Sequence, residues 1–338
     1  MAQTLHCLID LHLHLDGSLS AETARALAAM QGIELPRDAA ELDRMLHCPA
    51  GCRDLNEYLA CFTLPLSLLQ TGDALREAAR RLLTELADKG FLYAELRFAP
   101  QSHGQKGMSQ EQAIQAVLAG MQEAPIPSRL ILCAMRGADN EAANRETVQL
   151  AARYLGRGVA ALDLAGAEAI FPTGQFAPLF ALARDLGVPF VVHAGEADGP
   201  ESVAAALDMG PRRIGHGVRA LEDPAVTARL ARERVPLTVC PTSNLDTRVF
   251  DRLENFPLRA MLDAGLVVTV NSDNMAVSGT DAGQELQRLT DCFGLRTEEV
   301  RQLLLNAADA SFADESLKRQ LRAAICRELA QERTEESC

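Results

Sequence analysis

The stretch Leu8-Ile9-Asp10-Leu11-His12-Leu13-His14-Leu15-Asp16-Gly17 ends an apolar run on two imidazoles two residues apart. In a β-strand the side-chain period is two, so His12 and His14 share a face and can grip one ion. On a helix the same spacing would turn them roughly 200° apart. The flanking leucines read as a buried strand. An isolated His-x-His also suits ordinary histidines beside a turn, so its meaning depends on what else in the chain reaches the same place.

Working outward, eight short β-rich segments recur: Leu5 to His14, Phe91 to Phe98, Arg129 to Arg136, Val159 to Leu164, Pro189 to His193, Arg213 to His216, Pro236 to Cys240 and Val267 to Asn271. Most are followed by a loop and a stretch of helical periodicity. Strands alternating with helices imply a parallel sheet, and eight such units imply a closed α/β (β/α)8 TIM barrel. The unbroken apolar runs Val188 to Val192 and Leu266 to Val270 suit strands covered on both faces. Residues 15–90 form too long a connection for an ordinary loop. They carry helical stretches at Ala21 to Gln31, Ala39 to Leu46, Leu55 to Leu69 and Gly72 to Lys89, expected as a helical insertion after strand 1 that caps the C-terminal face. Leu55, Leu59, Phe62, Leu66 and Leu69 are apolar at helical spacing, as core packing or as a wall over a ligand. Thr297 to Gln331 reads as helical and amphipathic, and Thr334 to Cys338 is expected to fray. No composition break divides residues 1–338, which read as a single domain.

Composition narrows the function. A formal net charge of −13 with no concentrated basic patch argues against a nucleic-acid partner. No long apolar span or leader-like segment is present, so the expectation is a soluble, cytoplasmic protein with no membrane association. The nine cysteines form no CxxC pair, as in a reducing compartment. Cys48 and Cys52 have no second ligand pair nearby in sequence to complete a metal site.

In a barrel of this kind the C-terminal ends of the strands share one site. Four of the seven histidines fall there: His12 and His14 on strand 1, His193 in His193-Ala194-Gly195-Glu196, and His216 between Gly215 and Gly217. Strand 8 ends in Asn271-Ser272-Asp273-Asn274. His12, His14, His193 and Asp273 make a sensible donor set for one Zn2+ with a position left for water, whose pKa would fall towards neutral. Glu196 stands where it can move a proton on the ligand side, and His216 where it can position or deprotonate the water. Strand 4 ends Asp163-Leu164-Ala165-Gly166 without the lysine that bridges two metals in binuclear barrels, which points to one zinc per chain. Gly166 leaves backbone exposed for a flat ligand to approach.

With these residues assembled, the chain resembles the adenosine deaminase family of the metal-dependent amidohydrolase superfamily. The resemblance is carried by LHLHLDGSL at 11–19, YAELRFAP at 93–100, LDLAGAE at 162–168, HAGE at 193–196, RIGHGVR at 213–219, CPTSN at 240–244 and VNSDN at 270–274. It implies a hydrolase in which His12, His14, His193 and Asp273 hold zinc. By the same resemblance Glu196 protonates purine N1, and His216 orients the zinc-bound hydroxide that attacks C6 with loss of ammonia. Gly166 would meet purine N3 through its backbone, and Asp16 a ribose hydroxyl. The implied ligand is a small-molecule purine nucleoside, adenosine or 2′-deoxyadenosine, within purine salvage.

One departure is plain. Asn274 replaces the second aspartate that many members use to bond purine N7, and Met275 replaces a following proline. An amide always carries donors, so the N7 contact can survive. Two competing expectations stand beside the nucleoside. One is deamination of adenine or another modified 6-aminopurine; the other, of a different class, is a catalytically impaired nucleoside-binding barrel. Asp16 in the HLDG stretch and Gly215 before His216 favour the nucleoside. Oligomeric state has no signature in the sequence.

Overall fold

The computed structural model describes residues 5–335, and the expected eight strands are all present. They are β1 (Leu8–His14), β2 (Phe91–Phe98), β3 (Ser128–Met135), β4 (Val159–Ala165), β5 (Val191–Ala194), β6 (Arg213–His216), β7 (Leu237–Val239) and β8 (Val268–Val270). Pairing is parallel throughout and runs as two four-stranded halves, β1-β2-β3-β4 and β5-β6-β7-β8. Two seams close the ring. At one, Leu162 N–H donates to Pro189 O at 2.9 Å beside a Leu162–Phe190 bridge. At the other, His14 N–H donates to Asp273 O and Asp273 N–H to His12 O, both at 2.8 Å. The result is the expected (β/α)8 barrel. β5 and β7 start just after Pro189 and Pro236, because proline has no N–H to donate to a ladder.

The barrel interior is less apolar than its strands suggest. Glu95, Arg97, Asp163 and Arg213 are all buried, and each is paired, as buried charge requires. Arg213 pairs with Glu95, which also accepts from Tyr93 Oη at 2.9 Å, and the Phe312 ring lies 4.4 Å from the Arg213 guanidinium. Arg97 donates to Asp163 Oδ2 and to Leu11 O, both at 2.6 Å.

Within the connection after β1, four helix starts are capped as the sequence suggests. Ser20, Asp38, Asp54 and Thr71 accept from the backbone N–H of Thr23, Ala40, Glu57 and Ala74, each cap worth about 1 kcal/mol. Two expectations need correction. The stretch Leu55 to Leu69 is not one helix but two, Leu55–Ala60 and Thr63–Leu68. Pro65 cannot donate to Cys61 O and its ring crowds that carbonyl, so the chain turns at Cys61-Phe62 and restarts. The last helix of the connection, Gly72–Asp88, packs on helix Gln110–Gln122 and on β2, so it belongs to the barrel's outer ring rather than to the cap. Gly120 permits the close crossing, since a Cβ there would overlap Arg76 O.

The C-terminal run likewise forms two helices, Thr297–Ala310 and Glu315–Glu335. It breaks where Arg213 takes Ala310 O at 2.6 Å and Phe312 N–H turns in to Glu95. Thr334 and Glu335 continue that helix rather than leaving it, and 336–338 lie outside the described residues. Among the described residues no helix is long and apolar enough to cross a membrane.

Candidate active site

His12 and His14 leave the end of β1 on one face, as the strand period requires, and meet His193 from β5 and Asp273 from the turn after β8. Nε2 of His193 lies 2.9 Å from Nε2 of His12 and 3.3 Å from Nε2 of His14. Asp273 Oδ1 lies 3.5 and 3.4 Å from the same two nitrogens. Donors about 2.0–2.1 Å from a shared ion stand roughly 2.9 Å apart at a right angle and roughly 3.3 Å apart at the tetrahedral angle, so the set fits a divalent metal. Without an ion, facing imidazoles and a carboxylate would gain little from this crowding.

The rings are aimed from behind. His12 Nδ1 lies 2.9 Å from Thr238 Oγ1, whose hydroxyl donates to Ile214 O. His193 Nδ1 lies 3.1 Å from Asp163 Oδ1, itself fixed by Arg97. Each Nδ1 therefore carries the proton, and each Nε2 lone pair faces the centre. Burial first, then neighbouring positive charge, pushes His12 and His14 well below the usual histidine range, keeping them neutral as ligands must be. Burial alone would raise Asp163, but His193 and Arg97 hold its carboxyl well below the usual range.

A second convergence, His12, His216, Cys240 and Asp273, shares two of these residues. It is the poorer donor set. Cys240 donates its thiol to Thr238 O, and burial together with the Asp273 charge pushes that thiol well up.

Asp273 and His216 both hold positive φ, 63° and 58°, unusual away from glycine and a mark of backbone fixed by its surroundings. For Asp273 the fixing is the barrel seam itself. His216 Nε2 lies 3.7 Å from Glu196 Oε2 and 3.9 Å from Asp273 Oδ2. Burial, then the charges of Asp273 and Glu168, raises Glu196 well above the ordinary carboxyl range, which favours its protonated form.

These groups open into a cavity of about 220 Å³ lined by His14, Asp16, Gly166, His193, Glu196, His216, Asp273 and Asn274. His12 sits behind it. Leu55, Tyr58, Leu59, Phe62 and Leu66 of the cap form the opposite wall, so the helical insertion does cover the mouth. Among the described residues no lysine or arginine lines the cavity. Gly166 has φ +105°, which side chains rarely adopt. One Asp16 carboxylate oxygen is buried with no protein partner, and burial raises this acid to about 6. Gly17 is required because a Cβ there would overlap the Asn274 amide. All nine residues singled out in the sequence thus gather at one mouth.

Known proteins bear on this arrangement. The family model described as adenosine deaminase matches residues 7–328. An adenosine deaminase of Haemophilus ducreyi is 49% identical over 94% of this chain and 95% of its own. The chain belongs to the adenosine deaminase family. Among solved structures, adenine deaminase from Arthrobacter aurescens superposes with TM-score 0.87 at 32% identity, over 96% of this chain and 99% of its own. A zinc-bound amidohydrolase from Burkholderia ambifaria does so with TM-score 0.85 at 26% identity, over 96% and 92%.

Sequence reasoning overlooks the residues behind this adenosine deaminase-family site. Thr238, Asp163 and Arg97 aim the ligands, and Asn244 Nδ2 lies 3.3 Å from His216 Nδ1. Thr238, Asp163 and Arg97 are polar positions in otherwise apolar strands, Asn244 lies on the short helix Pro241–Asp246 after β7, and Arg97, Asp163 and Asn244 fall within the motifs at 93–100, 162–168 and 240–244. Glu168, the last residue of the LDLAGAE motif, accepts hydrogen bonds from the whole turn that carries Glu196.

Proposed function

We propose that the protein is a zinc-dependent hydrolase that converts adenosine and 2′-deoxyadenosine to the 6-oxo nucleosides plus ammonia, acting in the cytoplasm as one domain spanning residues 1–338. The observation that carries this reading is the mouth itself: a buried acid, Glu196, 3.7 Å from His216, beside a convergent His12, His14, His193, Asp273 donor set, in an apolar-walled cavity lined by no lysine or arginine among the described residues. When bound there, zinc lowers the pKa of a water and so supplies a nucleophile near neutral pH. Glu196 donates its proton to purine N1, which draws electron density from C6 as attack proceeds. His216, kept neutral by burial, accepts or directs the water's proton towards the departing amine. Asp16 takes a sugar hydroxyl with its unpartnered oxygen, Gly166 offers backbone to N3, and Asn274 offers its amide N–H to N7. A buried carboxylate oxygen without a partner is costly, and a hydroxyl ligand satisfies it.

The absence of lysine and arginine weighs against a nucleoside monophosphate, whose charge would enter an apolar cavity unpaired. Adenine is the second reading, supported by the close superposition on an adenine deaminase. The test is turnover of adenosine, 2′-deoxyadenosine, adenine and adenosine monophosphate by metal-loaded protein, following ammonia and product. Adenosine and deoxyadenosine are expected to lead in kcat/KM. Preference for adenine overturns the nucleoside assignment, and no turnover of any with metal bound leaves a nucleoside-binding barrel.

A further inference from the structure

The turn between β5 and helix Pro200–Met209 carries Glu196, and its backbone is bent around one buried side chain. Glu168 Oε1 accepts from Gly195 N–H at 2.7 Å. Its Oε2 accepts from the N–H groups of Glu196, Ala197 and Asp198 at 3.0, 2.8 and 3.2 Å. Ser202 Oγ, in the first turn of the helix, also bonds Oε1. Successive N–H groups turned inward make a concave anion seat, and the helix start adds partial positive charge. Here the anion is the protein's own, 1% exposed. Gly195 makes the bend possible, with φ +70° and no room for a Cβ beside Val203. From the other side, Arg136 donates to His193 O at 2.6 Å and to Thr173 Oγ1 at 2.9 Å, and Thr173 lies 2.6 Å from Ser202 Oγ.

We propose that Glu168 is a positioning residue for the deamination: its carboxylate gathers the N–H groups of residues 195–198 and so fixes where the Glu196 carboxyl stands. The proposal rests on Glu196 acting as the acid. A carboxylate is needed because both oxygens accept. In Glu168→Gln one oxygen becomes an NH2, which faces at least two donors whichever way the amide is turned. Displacement of a reacting group by about 1 Å costs on the order of 100-fold in rate.

The experiment is a double-mutant cycle on full-length, metal-loaded protein with adenosine, using Glu168→Gln, Glu196→Gln and both together. Glu168→Gln is expected to lower kcat about 100-fold with KM within about threefold and metal per chain unchanged. In the Glu196→Gln background it is expected to cost almost nothing further, since its effect runs through Glu196. A kcat within threefold of wild type, or losses that multiply in the double variant, overturns the proposal. If Glu168→Gln does not fold, Ser202→Ala removes one bond of the five and is expected to lower kcat about 3- to 10-fold, again only when Glu196 is present. If wild-type protein deaminates nothing, the assignment of Glu196 fails separately. Amide exchange at residues 195–198 then reads the clamp alone, and exchange unchanged in Ser202→Ala and Glu168→Gln contradicts it.

Discussion

The mouth of the barrel and the cap above it face each other across one cavity and are built on opposite principles. At the mouth three of the four metal-facing side chains are held from behind: His12 by Thr238, His193 by Asp163 and Arg97, and Asp273 by the barrel seam. The cap offers Leu55, Leu59 and Leu66 on two short helices and Phe62 in the turn between them, side chains that have nothing to donate or accept, beside Tyr58, whose hydroxyl is taken by Ser278 Oγ at 2.8 Å. Chemistry needs fixed atoms, whereas recognition of a flat ligand's face needs only apolar area that can adjust. Substitutions at the mouth should therefore act on metal and kcat, and substitutions in the cap on KM.

The largest expected effect separates two roles within the mouth. His193→Ala should lose the metal and all measurable turnover, while Glu196→Gln should keep the metal and lose about 10²- to 10⁴-fold in kcat; elemental analysis beside steady-state kinetics checks both. Equal metal loss in the two variants would contradict the division of roles. One layer further back, Thr238→Val removes the acceptor that orients His12. Competition with a chelator should then show metal affinity lowered about 10- to 100-fold.

The next effect concerns the join between the two regions. His103 Nδ1 donates to Leu69 O at 2.9 Å at the base of the cap, and its Nε2 is buried without a partner. Burial lowers this histidine to about 4, below its unfolded value near 6.5. As pH falls, the unfolded chain binds the proton first. The stability held above pH 6.5 is thus drained as pH drops towards 4. Between pH 7 and 5 the wild type should lose about 2 kcal/mol more than His103→Gln in denaturant titrations; parallel curves would show that His103 plays no part in the pH dependence. The smallest effect is in the cap wall, where Phe62→Ala should raise KM for adenosine about 3- to 10-fold with kcat within twofold. A loss confined to kcat would erase the contrast, because the cap would then hold reacting atoms in place just as the mouth does.

The same contrast governs what the sequence discloses. His12 and His14 are legible because a two-residue spacing has one structural meaning on a strand, His193, Glu196 and Asp273 because they follow apolar runs that read as barrel strands, and His216 because it stands between two glycines at a strand end. The break at Pro65 is equally available but lies inside a persuasive apolar period. Thr238, Asp163 and Glu168 are not legible as functional residues, since their work depends on which strand lies next to which. Asp163 meets His193 only because the ring closes between β4 and β5. Glu168 matters only because a backbone 27 residues away turns its N–H groups inward. Such partners are fixed by three-dimensional adjacency and leave no periodic trace.

The central claim is that one metal, held by His12, His14, His193 and Asp273, equips this mouth to deaminate a purine nucleoside. Its most direct test is a titration of metal-free protein with zinc, reading bound metal and release of ammonia from adenosine in the same samples. Turnover is expected to rise in proportion to bound zinc and to level at about one ion per chain. A plateau at two ions, or adenosine left intact with the site filled, would contradict it.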